Sequence, residues 1–77
     1  MALTIADLKK GERATIIDSS SEDIPLKLLE MGCLPGNVVE LLQFAPFHDP
    51  IYLNINDSFL AIRKETAALI LIENINE

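Results

Sequence analysis

Leu28-Leu29-Glu30-Met31-Gly32-Cys33-Leu34-Pro35-Gly36 is the stretch whose reading decides the fold. Its first half has the apolar spacing of an amphipathic helix, and Gly32 suits the left-handed position that closes one. Pro35-Gly36 then fits the central pair of a type II turn, proline at i+1 and glycine at i+2. Before this segment lies one polar-spaced apolar run, and after it come several short runs rich in Val, Ile and Leu. The pattern is that of a small β domain with one helix inserted early.

Upstream, the helix is expected to start near Asp23, because Pro25 is acceptable in a first turn, where its missing N–H costs nothing. Ser20, Ser21 and Asp23 are all candidate caps. Ile24, Leu28 and Met31 fall at i, i+4 and i+7 on one face, with Lys27 and Glu30 opposite. Residues 12–18 alternate as a strand, with Ala14 and Ile16 on one face and Arg13, Thr15 and Ile17 on the other. Thr4 to Leu8 has the form of a short helical turn with Thr4 as N-cap and Asp7 completing a capping box.

Downstream, residues 37–44 form the next expected strand, with an ambiguous pattern. Val39 and Leu41 share one face, while Val38, Leu42 and Phe44 share the other with Glu40. Residues 45–50 are a loop punctuated by two prolines. Residues 51–56 alternate cleanly, Ile51, Leu53 and Ile55 inward. Asn56-Asp57 suits a two-residue hairpin turn, since both tolerate φ > 0. Residues 59–63 return with Leu60 and Ile62 on the core side, residues 64–68 make one helical turn, and residues 69–75 close the chain. Five short strands with brief helical interruptions predict a mainly β domain, a small, partly open SH3-like β-barrel, which removes most exposed edges.

Length and composition agree. Seventy-seven residues hold one hydrophobic core, so 1–77 is expected to be a single domain. A hydrophobic share of 49% with only 5% aromatic implies a core of branched aliphatics rather than a disordered segment. The formal net charge of −6 repels phosphate backbones. The chain lacks both a basic stripe and interleaved aromatics, which argues against nucleic-acid binding. A lone cysteine, Cys33, excludes an internal disulfide. The first ten residues carry Asp7, Lys9 and Lys10 and no signal-peptide core, and the longest apolar run, 67–72, is far short of the ~20 residues that span a bilayer. A soluble, cytoplasmic protein is the expectation.

The order of short motifs resembles the FeoA family of bacterial ferrous iron uptake. The elements are Ile5, Leu8 and Gly11; Leu28, Met31, Gly32, Pro35 and Gly36; Asp49, Pro50 and Ile51; Leu60, Ile62 and Arg63; Ala67 and Ile70. Ile5 replaces the family's usual leucine, Thr66 stands where an acidic residue is usual, Cys33 takes an aliphatic's place, and Asn56-Asp57 replaces a glycine-containing turn. The resemblance implies an SH3-like barrel that binds FeoB, a membrane transporter with a cytoplasmic GTP-binding domain, and modulates its transport or nucleotide turnover. Related domains also occur in metal-dependent repressors, but the helical DNA-reading domain of those proteins has no counterpart here.

Adjacent helical positions diverge by about 100°, so the apolar residues of the helix cannot all face inward. The surplus makes Leu26, Leu29, Met31 and the turn residue Pro35 the candidate partner-binding residues, against the plainer reading that they pack on the barrel. The alternative function is a sensor that binds Fe(II) or another transition metal directly. His48, Asp49 and Cys33 are the residues that invite it, although one of each without paired spacing falls short of a closed site. Cys33 fits better as a small buried hydrophobe, and Asp49 before Pro50 as a turn residue. No nucleophile–base set or glycine-rich phosphate loop supports catalysis, so the expected activity is binding without an enzyme reaction and without a cofactor.

Overall fold

The computed structural model describes residues 3–75, with His48 described by its backbone only. Six strands form one antiparallel sheet: β1 (Leu3–Thr4), β2 (Arg13–Asp18), β3 (Val38–Phe44), β4 (Ile51–Ile55), β5 (Ser58–Ile62) and β6 (Leu71–Asn74). Their spatial order is β1-β6-β2-β3-β4-β5. Helix α1 (Leu26–Glu30) lies between β2 and β3, and α2 (Lys64–Ala67) between β5 and β6. The extents are nearly equal, 29 × 28 × 27 Å, so the sheet curls around its core as a small barrel. It does not close: β1 and β5 are its two edges.

Alternation along the strands builds the core. Ala14 and Ile16 of β2, Val39 and Leu41 of β3, and Ile51, Leu53 and Ile55 of β4 are all buried. Each large aliphatic contributes about 1.5–3 kcal/mol by leaving water. Ile5, Leu8, Ala67 and Ile70 join the same cluster from the helical turns and connections. The Thr4 N–H donates to Asp7 Oδ2 at 2.8 Å, which fixes the 3₁₀ turn Ile5–Asp7 as the capping pattern predicts.

Several expectations need correction. Among the described residues there are six strands rather than five, because Leu3–Thr4 pairs with Ile72 and Leu71 of β6. The closing strand begins at Leu71 rather than at residue 69, since the Leu69 and Ile70 N–H groups still donate to Thr66 and Ala67 carbonyls in the turn after α2. Residues 45–50 contain a 3₁₀ turn, Pro46–His48. Helix α1 starts three residues later than expected, with Pro25 at its N-cap (φ −57°, ψ 137°) and not inside the first turn. The segment before it is held as a separate turn, in which Ile24 N–H donates to the Ser21 carbonyl and Asp23 N–H to Ser21 Oγ. Ile24 is therefore buried without belonging to the helix.

The ambiguous pattern of β3 has a simple cause. Leu41 pairs with Leu53 and Gln43 with Tyr52, so Leu42 is an extra residue in a bulge. The bulge resets the two-residue period, so Phe44 packs against the core as Val39 and Leu41 do, instead of sharing a face with Val38, Leu42 and Glu40. A second irregularity in β2 leaves Ile17 without a partner in β6 and half exposed.

Candidate functional site

The end of α1 is built largely by main-chain chemistry. Met31 caps the helix and Gly32 follows at φ +110°. The Cys33 N–H donates to the Leu28 carbonyl at 3.0 Å and the Gly32 N–H to the Leu29 carbonyl at 3.1 Å. This 6→1 and 5→2 pair is a Schellman closure, which satisfies carbonyls that the helix leaves unpaired. The Asn37 N–H donates to Leu34 O at 3.1 Å across Pro35-Gly36, with Gly36 at φ +96°, the type II turn expected there. Asn37 Nδ2 also reaches back to Gly32 O at 2.7 Å and ties the turn to the helix end.

A second element meets this one. Asn56 (φ +53°) and Asp57 (φ +64°) turn β4 into β5 in the left-handed pair of a type I′ hairpin. A Cβ on Gly32 would lie 2.9 Å from Asn56 Nδ2 and 3.3 Å from Ile55 Cγ2. The absence of a side chain at residue 32 thus lets the helix end sit directly on the hairpin.

Between α1 and β5 runs a groove of about 550 Å³. Leu28, Met31 and Lys27 contribute to one wall, and residues 59–63 form the other without interruption. Consecutive strand residues present alternate faces, so a run of five along one wall means that the edge of β5, not one of its faces, borders the groove. Phe59 is 72% exposed.

The four residues expected from sequence divide. Leu26 is 67% exposed on α1, and Met31 is half-buried in the groove wall. Leu29 is half-buried and leans on the core cluster, while Pro35 is exposed in the turn beyond the helix. Met31 shares the groove with Leu28; Leu26, Leu29 and Pro35 are not among its walls. Phe59, Lys27 and Arg63 were not among the partner-binding residues expected from sequence. Phe59 had a usable signal, a large aromatic on the outward parity of an alternating strand.

The residues that invited a metal reading are placed differently. The Asp49 carboxylate accepts a hydrogen bond from the Lys64 N–H at 3.0 Å and so serves the start of α2. Cys33 is buried, and desolvation pushes its thiol up to about 11. The side chain of His48 lies outside the described residues. Among the described residues no three His, Cys, Asp or Glu side chains gather, and no helix is long and apolar enough to cross a membrane.

Comparison with known proteins follows the same lines. The Fe(2+) transport protein A/Fe(2+) transporter FeoB fusion protein of Porphyromonas gingivalis is 33% identical over 75 residues, 96% of this chain. The chain spans only 9% of that curated relative. The solution structure of the FeoA protein from Chlorobium tepidum superposes with a TM-score of 0.88 at 29% identity, covering 96% of this chain and 71% of that one. The zinc complex of Stenotrophomonas maltophilia FeoA, described as a procaryotic SH3 domain protein, superposes at 0.79 with 19% identity, over 94% of this chain and 91% of that one. That likeness makes the fold SH3-like. The FeoA domain matches residues 3–74, and the chain belongs to the FeoA family.

Proposed function

We propose that residues 1–77 form one FeoA-like domain that serves as a cytoplasmic accessory protein of ferrous iron uptake. It docks on a FeoB-type transporter and modulates its transport or GTP turnover, and it does so as a binding module rather than an enzyme. The observation that carries this reading is the Porphyromonas gingivalis relative, in which a counterpart of nearly this whole chain is fused to FeoB. Fusion holds two modules at millimolar effective concentration, an arrangement that serves partners which must meet repeatedly.

The contact lies on the α1 side of the barrel. Leu26 is exposed there and Met31 lines the adjoining groove, so they are the first residues to test, with Leu29 and Pro35 as the outlying members. The apolar groove walls and the exposed Phe59 supply the desolvated centre that protein interfaces use.

The experiment is co-purification of this chain with full-length FeoB-type transporter in detergent or nanodiscs, with and without GTP. Association in at least one nucleotide state, weakened about tenfold or more by Leu26→Asp or Met31→Asp, is the expected result. Failure of the unaltered protein to associate in either state overturns the partner assignment.

A further inference from the structure

The free edge of β5 carries a more specific consequence, which rests on the docking reading above. Asn56 and Asp57 make a two-residue turn, so Ile55 and Ser58 form a hydrogen-bonded pair, as do Leu53 with Leu60 and Ile51 with Ile62. Phe59 and Ala61 occupy the alternate sites, opposite Asn54 and Tyr52. Their N–H and C=O groups therefore turn away from β4, toward the edge where the sheet ends. That edge borders the groove.

We propose that the groove takes one extended, acidic–apolar segment of the partner, added to β5 as a seventh strand. Three observations converge on this occupant. The unpaired Phe59 and Ala61 main-chain groups are a template for strand pairing. The α1 wall offers Leu28 and Met31 to alternate side chains of an added strand. The third is charge. On a chain of net charge −6, the groove contains two of the six basic residues, Lys27 and Arg63, and no Asp or Glu. Within a Debye length of about 8 Å at physiological salt, an approaching segment responds to these local cations more than to the distant net charge. The same cations disfavour a second copy of this chain. An isologous pairing of β5 with β5 would bring each copy's basic groove against the other's.

The segment therefore alternates branched aliphatics, which enter the groove, with carboxylates, which meet Arg63 on the parity of Phe59 and Ala61. The probe is an end-capped nonapeptide alternating Val and Glu, with a Val/Lys version as its counterpart. Amide hydrogen exchange is read by NMR on the unaltered protein. The expected result is slowing of exchange at Phe59 and Ala61 by tenfold or more with the Val/Glu peptide, and little change with the Val/Lys peptide. The Lys27→Glu/Arg63→Glu variant reverses that preference. Ala61→Pro removes an edge N–H that β4 does not use, and it weakens peptide binding at least tenfold while the β4–β5 ladder persists.

Binding of both peptides alike, or binding without protection of Phe59 and Ala61, overturns the strand-addition proposal. So does failure of the Val/Glu peptide to bind. Because Ala61→Pro is also tested against the full transporter, the two readings separate. Transporter binding that survives Ala61→Pro refutes this mode and leaves the partner intact. Peptide binding without transporter binding does the reverse.

Discussion

Replacing Gly32 by alanine tests the junction on which the site is built. Gly32 sits at φ +110°, and a side chain there costs about 1–2 kcal/mol from the backbone alone. The new Cβ would also press on Asn56 Nδ2 at 2.9 Å and Ile55 Cγ2 at 3.3 Å. The exposed Asn56 amide can swing clear at little cost, but the buried Ile55 methyl must give way, which adds about 1 kcal/mol. Against these stands a gain of about 0.4–1 kcal/mol from a less flexible unfolded chain. The net loss is about 1–2.5 kcal/mol, out of roughly 4–12 kcal/mol for a domain of this size. In temperature it amounts to a fall of roughly 5–20 °C.

Gly36→Ala is the internal control. Gly36 has φ +96° but nothing within 4 Å of a built Cβ, so it bears the backbone cost and the unfolded-state gain without the clash. Urea unfolding followed by circular dichroism, with a shared m-value, measures both variants. Gly32→Ala should be less stable than Gly36→Ala by about 1 kcal/mol. Adding Ile55→Ala, which removes Cγ2, should restore about 0.5–1 kcal/mol to Gly32→Ala as a coupling energy. Equal stability of the two alanine variants, or no coupling with Ile55, would refute the claim that helix end and hairpin are in contact through the missing side chain.

Other outcomes follow from single contacts. Asp49→Ala removes the acceptor for the Lys64 N–H and should cost about 0.5–2 kcal/mol, with Asp49→Asn recovering most of it in the same urea assay. Phe59→Ala should leave stability within about 0.5 kcal/mol, because the ring is mostly exposed, yet weaken transporter binding in co-purification. Cys33 has its folded pKa raised from 9.0 to about 11. Its contribution to stability is therefore complete below pH 9 and declines as pH rises toward 11, since only the unfolded thiol ionises in that window. Stability measured from pH 8 to 11 should fall less steeply in Cys33→Ala than in the parent.

Much of this architecture was legible in the sequence because local chemistry dictated it. Gly32, the Pro35-Gly36 pair and Asn56-Asp57 each demand a backbone that few residues tolerate, and all three stand where expected. The clean alternation of Ile51, Leu53 and Ile55 likewise set the core face of β4. What escaped was set by partners distant in sequence. The extra residue Leu42 is visible only against the register of β4, so the spacing grouped Phe44 with Val38 and Leu42 rather than with Val39 and Leu41. Leu3–Thr4 is a strand only because β6 lies beside it. Ile24 satisfied a helical spacing by coincidence, while Pro25 delayed the helix itself. The groove escaped for the same reason. Its two walls come from segments about thirty residues apart, and nothing local to Lys27 announces Arg63.

The contact of Gly32 with Asn56 also bears on how the groove receives a partner. Gly32 follows Met31, the C-cap of α1, and Asn56 opens the two-residue turn that leads into β5, so the two walls come together at one end. A receptor held in this way is preorganised: it need not order its own walls when a ligand arrives, and the entropy lost on binding falls on the incoming segment. Affinity then becomes a property the partner can adjust, by stiffening or loosening that segment, while the small domain itself stays unchanged.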